Sequence, residues 1–279
     1  MARPPELTDR PALARNRARA DDSALFLHEE AAVEIKERLS EVNRSFKSVA
    51  IVTGFKELWQ REFPDAVIVP DDDVLALEIE AYDLVIHALA LHWANDPVGQ
   101  LVQCRRALKP DGLFLSVLFG GQTLAELRAA LAEAEALVAG GISPRVLPMG
   151  EIRELGGLLQ RAGFALPVAD SVSHSVTYAN MTRLMQDLRA MGEGNALTLR
   201  RKAPTQRRLF EEASRIYSSA FAAPGDLIRA SFEMIFLTGW APHDSQQKPL
   251  RPGSAVQRLA DALQTAELPI APRSESGTD

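Results

Sequence analysis

The residues best placed to do chemistry follow three short apolar runs. Leu84-Val85-Ile86 leads into His87-Ala88-Leu89-Ala90-Leu91-His92-Trp93, Val49 to Thr53 leads into Gly54, and Ala66 to Pro70 leads into Asp71-Asp72-Asp73. An imidazole beside an indole offers hydrogen bonds, proton transfer and a flat apolar face. Carboxylates accept from hydroxyl groups, and a glycine lets a ligand approach backbone N–H groups closely. No metal or nucleophile constellation accompanies them. The five histidines, His28, His87, His92, His174 and His243, lack ligand spacing such as H-E-x-x-H, and Cys104 falls on the apolar face of a helical pattern. His92 and Trp93 therefore have three readings: packing at a rim, contact with a cofactor or substrate, or acid–base work.

The elements that must position these residues are legible around them. Leu84-Val85-Ile86, opened by Asp83, is the continuous apolar run of a parallel strand covered on both faces. Such a strand delivers the residues after its carboxyl end into the crevice where α/β sheets bind ligands. Val98, Leu101, Cys104 and Leu108 recur at helical spacing. Lys109-Pro110-Asp111-Gly112 then reads as a stop, with Gly112 free to take positive φ, before a second buried strand from Leu113 to Phe119. Strand, crossover helix and strand make an α/β unit.

At these residues the chain resembles the class I S-adenosylmethionine-dependent methyltransferases, which show the order YDLV, LHW-AND-P, LKPDGLFL around their fourth and fifth strands. More narrowly, LHWANDP, LFGGQTLAELRAAL, GGISPRV, LLQRAGF, DLRAMGEGNAL and GWAPHDSQQKPLRPGSA resemble the methyltransferase-like assembly factors of respiratory complex I and their alphaproteobacterial relatives. The resemblance runs from Tyr82 to Ala255. It implies a Rossmann-like sheet, S-adenosylmethionine as cofactor, a complex I subunit as protein substrate or client, and either methylation or arginine hydroxylation as the reaction. It makes Gly54, Asp71, Asp72, Ala88, His92 and Trp93 the candidate cofactor contacts, and leaves the catalytic residues unassigned.

Two departures qualify this. The superfamily places glycines at alternate positions after its first strand, but in Thr53-Gly54-Phe55-Lys56-Glu57-Leu58 only Gly54 matches. Lys56 and Leu58 occupy the other glycine positions, where side chains are expected to crowd the cofactor. The interval between Gly54 and Asp83 also has room for about one further strand where two are usual, so the sheet is expected to be truncated in its N-terminal half. Asp71 follows Gly54 by a spacing near the roughly 20 residues of a ribose-binding acid. Counted back from Tyr82, the same acids match the third-strand tip near adenine instead, and a solvated loop is the third possibility.

Past Phe119, Thr123 with Glu126 reads as a capping box for a helix to about Val138. A second helix spans Glu151 to Arg161, and the stretches Leu166–Ala169 and Ser171–Tyr178 read as extended. Two helical patterns divided by Gly192-Glu193-Gly194-Asn195 precede a final strand near Ile228 to Leu237. The expected organisation is a basic segment and helix (1–47), a Rossmann-like domain (48–178), a helical insertion acting as lid or recognition lobe (179–225), a last strand (226–241) and a C-terminal extension (242–279) whose end is disordered. The arginines of residues 1–20 read as a helix face docked on the domain, or as a lid or partner contact.

The 279 residues, 46% of them hydrophobic, suffice for one sizeable core. A net charge of −6 argues against non-specific nucleic-acid binding, which needs a basic surface. A single cysteine excludes an intrachain disulfide framework and fits a reducing compartment. No apolar run reaches the roughly 18 residues of a membrane span. The expected location is a bacterial cytoplasm, at most at the periphery of the inner membrane, or the mitochondrial matrix in a eukaryote. The function expected is that of a methyltransferase-like protein of this family; the alternative is a catalytically inactive member serving as an assembly chaperone.

Overall fold

The computed structural model describes residues 6–246. Among them seven strands form one sheet in the order β2-β1-β3-β4-β7-β5, with the short β6 (Ala222–Ala223) beside β7. β1 (Val49–Val52), β2 (Val67–Val69), β3 (Tyr82–Ala88) and β4 (Leu108–Phe119) run parallel. β7 (Leu227–Trp240) lies antiparallel between β4 and β5 (Ala165–Tyr178). Only β2 flanks β1 on its outer side, which is the truncation expected from the short interval after Gly54.

Helices cover both faces. On one, α2 (Phe26–Glu41), α5 (Ala125–Ala139), α7 (Met181–Ala190) and α8 (Arg207–Ala220) share a core with Ile51, Leu84, Ile86 and Leu115. On the other, α4 (Pro97–Ala107) and α6 (Ile152–Arg161) pack on Val52, Val85, Phe114 and Leu237. β3 is buried from both sides, so its apolar run is continuous. β5, at the sheet edge, alternates half-buried and exposed positions as one strand, joining the two extended stretches that the sequence presents separately. α7 and α8 form the helical insertion between β5 and β7.

Three local expectations are corrected. β4 begins at Leu108, directly after α4, and the intervening residues bulge between the pairs Tyr82–Leu108 and Leu84–Leu113. The left-handed residue there is Asp111 (φ 63°), not Gly112. Thr123 and Glu126 form no capping box: α5 begins after Leu124, which is left-handed and has no side-chain cap. Thr123 Oγ1 instead accepts from Glu233 N and donates to Glu233 O, while Glu126 receives Ser231 N and Oγ. Leu58, on α3 (Lys56–Glu62), turns into the core with Trp59 and does not crowd the cleft. The disorder expected at the C-terminal end lies outside the described residues.

Candidate functional site

The motif LHWANDP is a set of separate positioning devices. At the carboxyl end of β3, Leu89 takes a left-handed conformation (φ 44°), and its N–H donates to Val117 O. A 3-10 turn over Leu91–Trp93 follows. Asp96 caps α4 by accepting from Gly99 N at 2.8 Å, and Pro97 is its first residue, where a missing N–H costs nothing. Asn95 binds back to the N-terminal arm: its Oδ1 accepts from Thr8 N and its Nδ2 donates to Thr8 O.

That arm, with α1 (Arg10–Arg17), roofs the crevice above the strand ends. It is tied to the loop after α7 by Asp9 N to Ala196 O, Thr198 N to Leu7 O, Asn16 Nδ2 to Gly194 O and an Arg200–Asp9 ion pair at 2.9 Å. A small apolar cluster of Ala12, Leu13, Trp93, Leu147, Ala196 and Leu197 seals the junction.

Under the roof lie two cavities. The first, of about 800 Å³, includes Gly54, Lys56, Asp71, Asp72, Arg10 and Arg17 in its lining. Asp71 Oδ1 accepts from Arg17 Nη1 at 2.7 Å, and Oδ2 accepts from Arg10 Nη1 at 3.1 Å. Burial would raise the Asp71 pKa, but the two guanidinium groups outweigh it and hold the carboxyl below its ordinary value. Asp72 is exposed, 3.7 Å from Arg10 Nη2. Arg17 lies so close to Gly54 that a Cβ there would collide with its guanidinium. The Asp71 loop is held from beneath: Gln100 Nε2 donates to the carbonyls of Asp71 and Asp72, which turns Gln100 Oε1 toward His87 Nε2 at 2.8 Å. That orientation places the His87 proton on Nε2. Burial lowers the His87 pKa to about 4, so the ring is neutral.

The second cavity, of about 380 Å³, lies between α5, α7, the 3-10 turn and the Arg145–Met149 segment. Its walls are mainly apolar, among them Phe119, Leu127, Leu131, Leu147 and Met185. The acid in its lining is Glu193, whose Oε2 accepts from Trp93 Nε1 at 2.8 Å and stands 3.7 Å from His92 Nε2. Burial pushes the Glu193 pKa up, but His92, Arg17 and the indole N–H together bring it below the ordinary value. Glu193 Oε1, both ring nitrogens of His92, and Nε and Nη2 of Arg17 are buried without a partner.

Gly54, Asp71 and Asp72 thus line the first cavity and Trp93 the second. His92 lies behind Trp93 against Phe119, and Ala88 is buried in the core at the end of β3. Sequence reasoning missed Gln100 and Glu193, and read Arg10 and Arg17 only as part of a docked or lid-like segment, not as partners of Asp71. The only signal for Glu193 is its place between Gly192 and Gly194, which reads as a helix divider. Arg200 is paired with Asp9 of the arm. Among the described residues no group of three His, Cys, Asp or Glu side chains could hold a metal ion.

Residues 29–116 match the family described as a methyltransferase domain. The chain is 35% identical over 236 residues to "Arginine-hydroxylase NDUFAF5, mitochondrial" of Danio rerio, covering 84% of this chain and 73% of that protein. It is 41% identical over 197 residues to the Dictyostelium discoideum protein of the same name, covering 70% of this chain and 45% of that one. A malonyl-[acyl-carrier protein] O-methyltransferase of Xylella fastidiosa is 35% identical over 179 residues, 64% of this chain and 58% of its own. The chain therefore spans less than two thirds of two of these three relatives. By its relationship to the Danio rerio protein, the chain belongs to the NDUFAF5 family and carries that family's methyltransferase domain.

Proposed function

We propose that the protein binds S-adenosylmethionine in the larger cavity and modifies an arginine side chain of a respiratory complex I subunit during assembly. The observation that carries this reading is the collection of buried, partnerless polar atoms of Arg17, His92 and Glu193 beneath one roof. Buried polar groups are normally paired, so such a collection implies a polar ligand. The relatives' name supplies the kind of modification, arginine hydroxylation.

The donor set fits the cofactor. Asp71 would accept from the ribose hydroxyls, and Arg17 with the backbone at Gly54 would face the methionine carboxylate. When bound, the cofactor would supply an electrophilic sulfonium for methyl transfer; adding an oxygen atom to arginine would require in addition a two-electron oxidant of the dioxygen class. The chain's own residues orient and exclude water: Trp93 walls off the second cavity, and the arm covers both. For binding, Asp71 must exchange its guanidinium partners for hydroxyl donors.

A second reading, that of a catalytically silent assembly chaperone, is favoured by that same pairing, since Arg10 and Arg17 occupy both oxygens of Asp71. One experiment separates the two. In cells lacking the protein and complemented with it, complex I subunits are digested and their arginine-containing peptides weighed. A gain of one oxygen atom on one arginine, dependent on the protein, supports hydroxylation, and a gain of one methylene supports methyl transfer. Restored assembly with no mass change makes the protein a chaperone. The site of action proposed is the mitochondrial matrix or bacterial cytoplasm, where the unassembled subunit is accessible. Among the described residues no helix is long and apolar enough to cross a membrane.

A further inference from the structure

We propose that Glu193 is the specificity-determining residue of the second cavity, its free carboxylate oxygen receiving the guanidinium of a substrate arginine presented by a polypeptide. This rests on the arginine modification proposed for the protein, and names the group that would select arginine.

A guanidinium entering a water-poor cavity needs a carboxylate whose hydrogen-bonding capacity is unused. Among the described residues Glu193 is the sole acid lining this cavity, and its side chain is only 10% exposed. One of its oxygens is already fixed by Trp93, and the other is buried without a donor, so a guanidinium reaches it as the side chain turns toward the cavity. Of the charged or titratable groups facing it, His92 stands 3.7 Å from the oxygen that Trp93 holds, and Arg17 acts through its field without reaching hydrogen-bond distance.

The backbone at Glu193 is itself held in place. Gly192 has φ 78°, and a Cβ there would press on Arg17 Cα and the Phe55 ring. Glu193 N donates to Leu188 O, closing the end of α7, and Asn16 holds the next residue through Gly194 O. The apolar walls would take the methylene stem of an arginine.

Arg19, Arg145 and Arg189 also line this cavity; Arg19 and Arg189 are exposed, and Arg145 is half-buried and paired with Glu135 at 2.8 Å. The two exposed charges oppose a bare cation and favour an arginine whose neighbours in the peptide are acidic. The structure thus assigns the site an arginine in an acidic context, with Glu193 selecting the side chain and the outer arginines its flanks.

The test uses the full-length protein labelled with ¹⁵N. Of the three tryptophans, the Trp93 indole is identified by elimination with Trp59→Phe and Trp240→Phe. Its N–H donates directly to Glu193, so its resonance reports on that carboxylate. Nα-acetyl-arginine methylamide is titrated against its neutral citrulline counterpart. The expected result is a saturable shift with the arginine compound, none with citrulline, and at least about tenfold weaker binding in Glu193→Gln, which keeps the oxygen that accepts from Trp93. Peptides with aspartate flanks are expected to bind more tightly than peptides with lysine flanks.

Equal binding of citrulline, an unchanged affinity in Glu193→Gln, or no arginine binding to the wild type would each overturn the proposal. The cellular mass measurement reports separately on the function it rests on. If a client arginine is modified equally with wild type and Glu193→Gln, the assignment of Glu193 fails and the function stands. If the wild type alters no arginine, the function fails whatever the resonance does.

Discussion

His28 and His87 are buried as neutral rings, with pKa values lowered by burial to about 3 and about 4. A histidine protonates more readily in the unfolded chain, at about 6.5, so folding releases protons below that pH. The stability these rings contribute is therefore complete above about pH 6.5 and lost as pH falls toward about 4 for His87 and about 3 for His28. Every tenfold difference in proton affinity between the folded and unfolded chain corresponds to about 1.4 kcal/mol. Asp71 and Glu193 behave differently, because their folded pKa values lie below the ordinary carboxylate range. Their contribution persists above that range and fails only below it. Thermal melts between pH 8 and 3 should accordingly show two successive losses, and His87→Asn should flatten the upper one. An unchanged upper slope in that variant would place the titration elsewhere. Little of this was legible in the sequence. His87 follows a buried strand, and that much could be read, but its tautomer depends on Gln100 and on the Asp71 carbonyl, which approach from α4 and from the loop after β2. Glu193 was hidden for a related reason, because its partner Trp93 lies a hundred positions earlier in the chain.

Thr123 and Glu126 show how an element can satisfy a local pattern and use it for another purpose. Their spacing is that of a capping box, yet both side chains reach β7, and α5 starts without them. Glu126 is 5% exposed and takes both polar groups of Ser231. Glu126→Ala would leave the Ser231 hydroxyl unpaired at the face of the sheet, a loss of about 1–3 kcal/mol, read as a lower denaturation midpoint. Exposed helix-cap losses lie at the lower end of that range, so Ser231→Ala supplies the discriminating arm. In a cap the two mutations would add, whereas in this pair the double mutant should cost little more than Glu126→Ala alone. Elements whose signal is their own periodicity were readable: β3 by its apolar run, α4 by its spacing, and α7 and α8 as the insertion. The boundaries that were misplaced, at the start of β4 and the start of α5, are set by contacts across the sheet. Leu58 belongs with them. Its position in a degenerate glycine motif placed it in the cleft, whereas the helical turn of α3 rotates it into the core. Glycine at Leu58 would therefore open a cavity in the core rather than free the cofactor site.

For the molecule as a whole, the arm and the loop after α7 close over the crevice together, so ligand access depends on how firmly they are held. Apolar burial of Leu13 and Ala12 anchors the arm, and ion pairs from Arg10, Arg17 and Arg200 fix its register. Arg10 is the outer clamp on Asp71, with a side chain 23% exposed against 9% for Arg17. Partly exposed pairs contribute up to about 1 kcal/mol, so Arg10→Ala should scarcely change the global melt. It should nevertheless speed hydrogen exchange at the arm amides, since local opening costs less than global unfolding. If the arm must lift before an adenosyl group reaches Asp71, the same variant should bind S-adenosylhomocysteine faster, with a smaller change in dissociation. Asp71→Asn tests the other side of the exchange. It removes the anion that both arginines hold and the acceptor proposed for ribose, so the arm should loosen and the nucleoside should bind at least about tenfold more weakly. Calorimetric titration of S-adenosylhomocysteine into the three proteins decides the matter. Equal affinity in Asp71→Asn would remove Asp71 from the cofactor site and leave the pairing with Arg10 and Arg17 as a purely structural clasp.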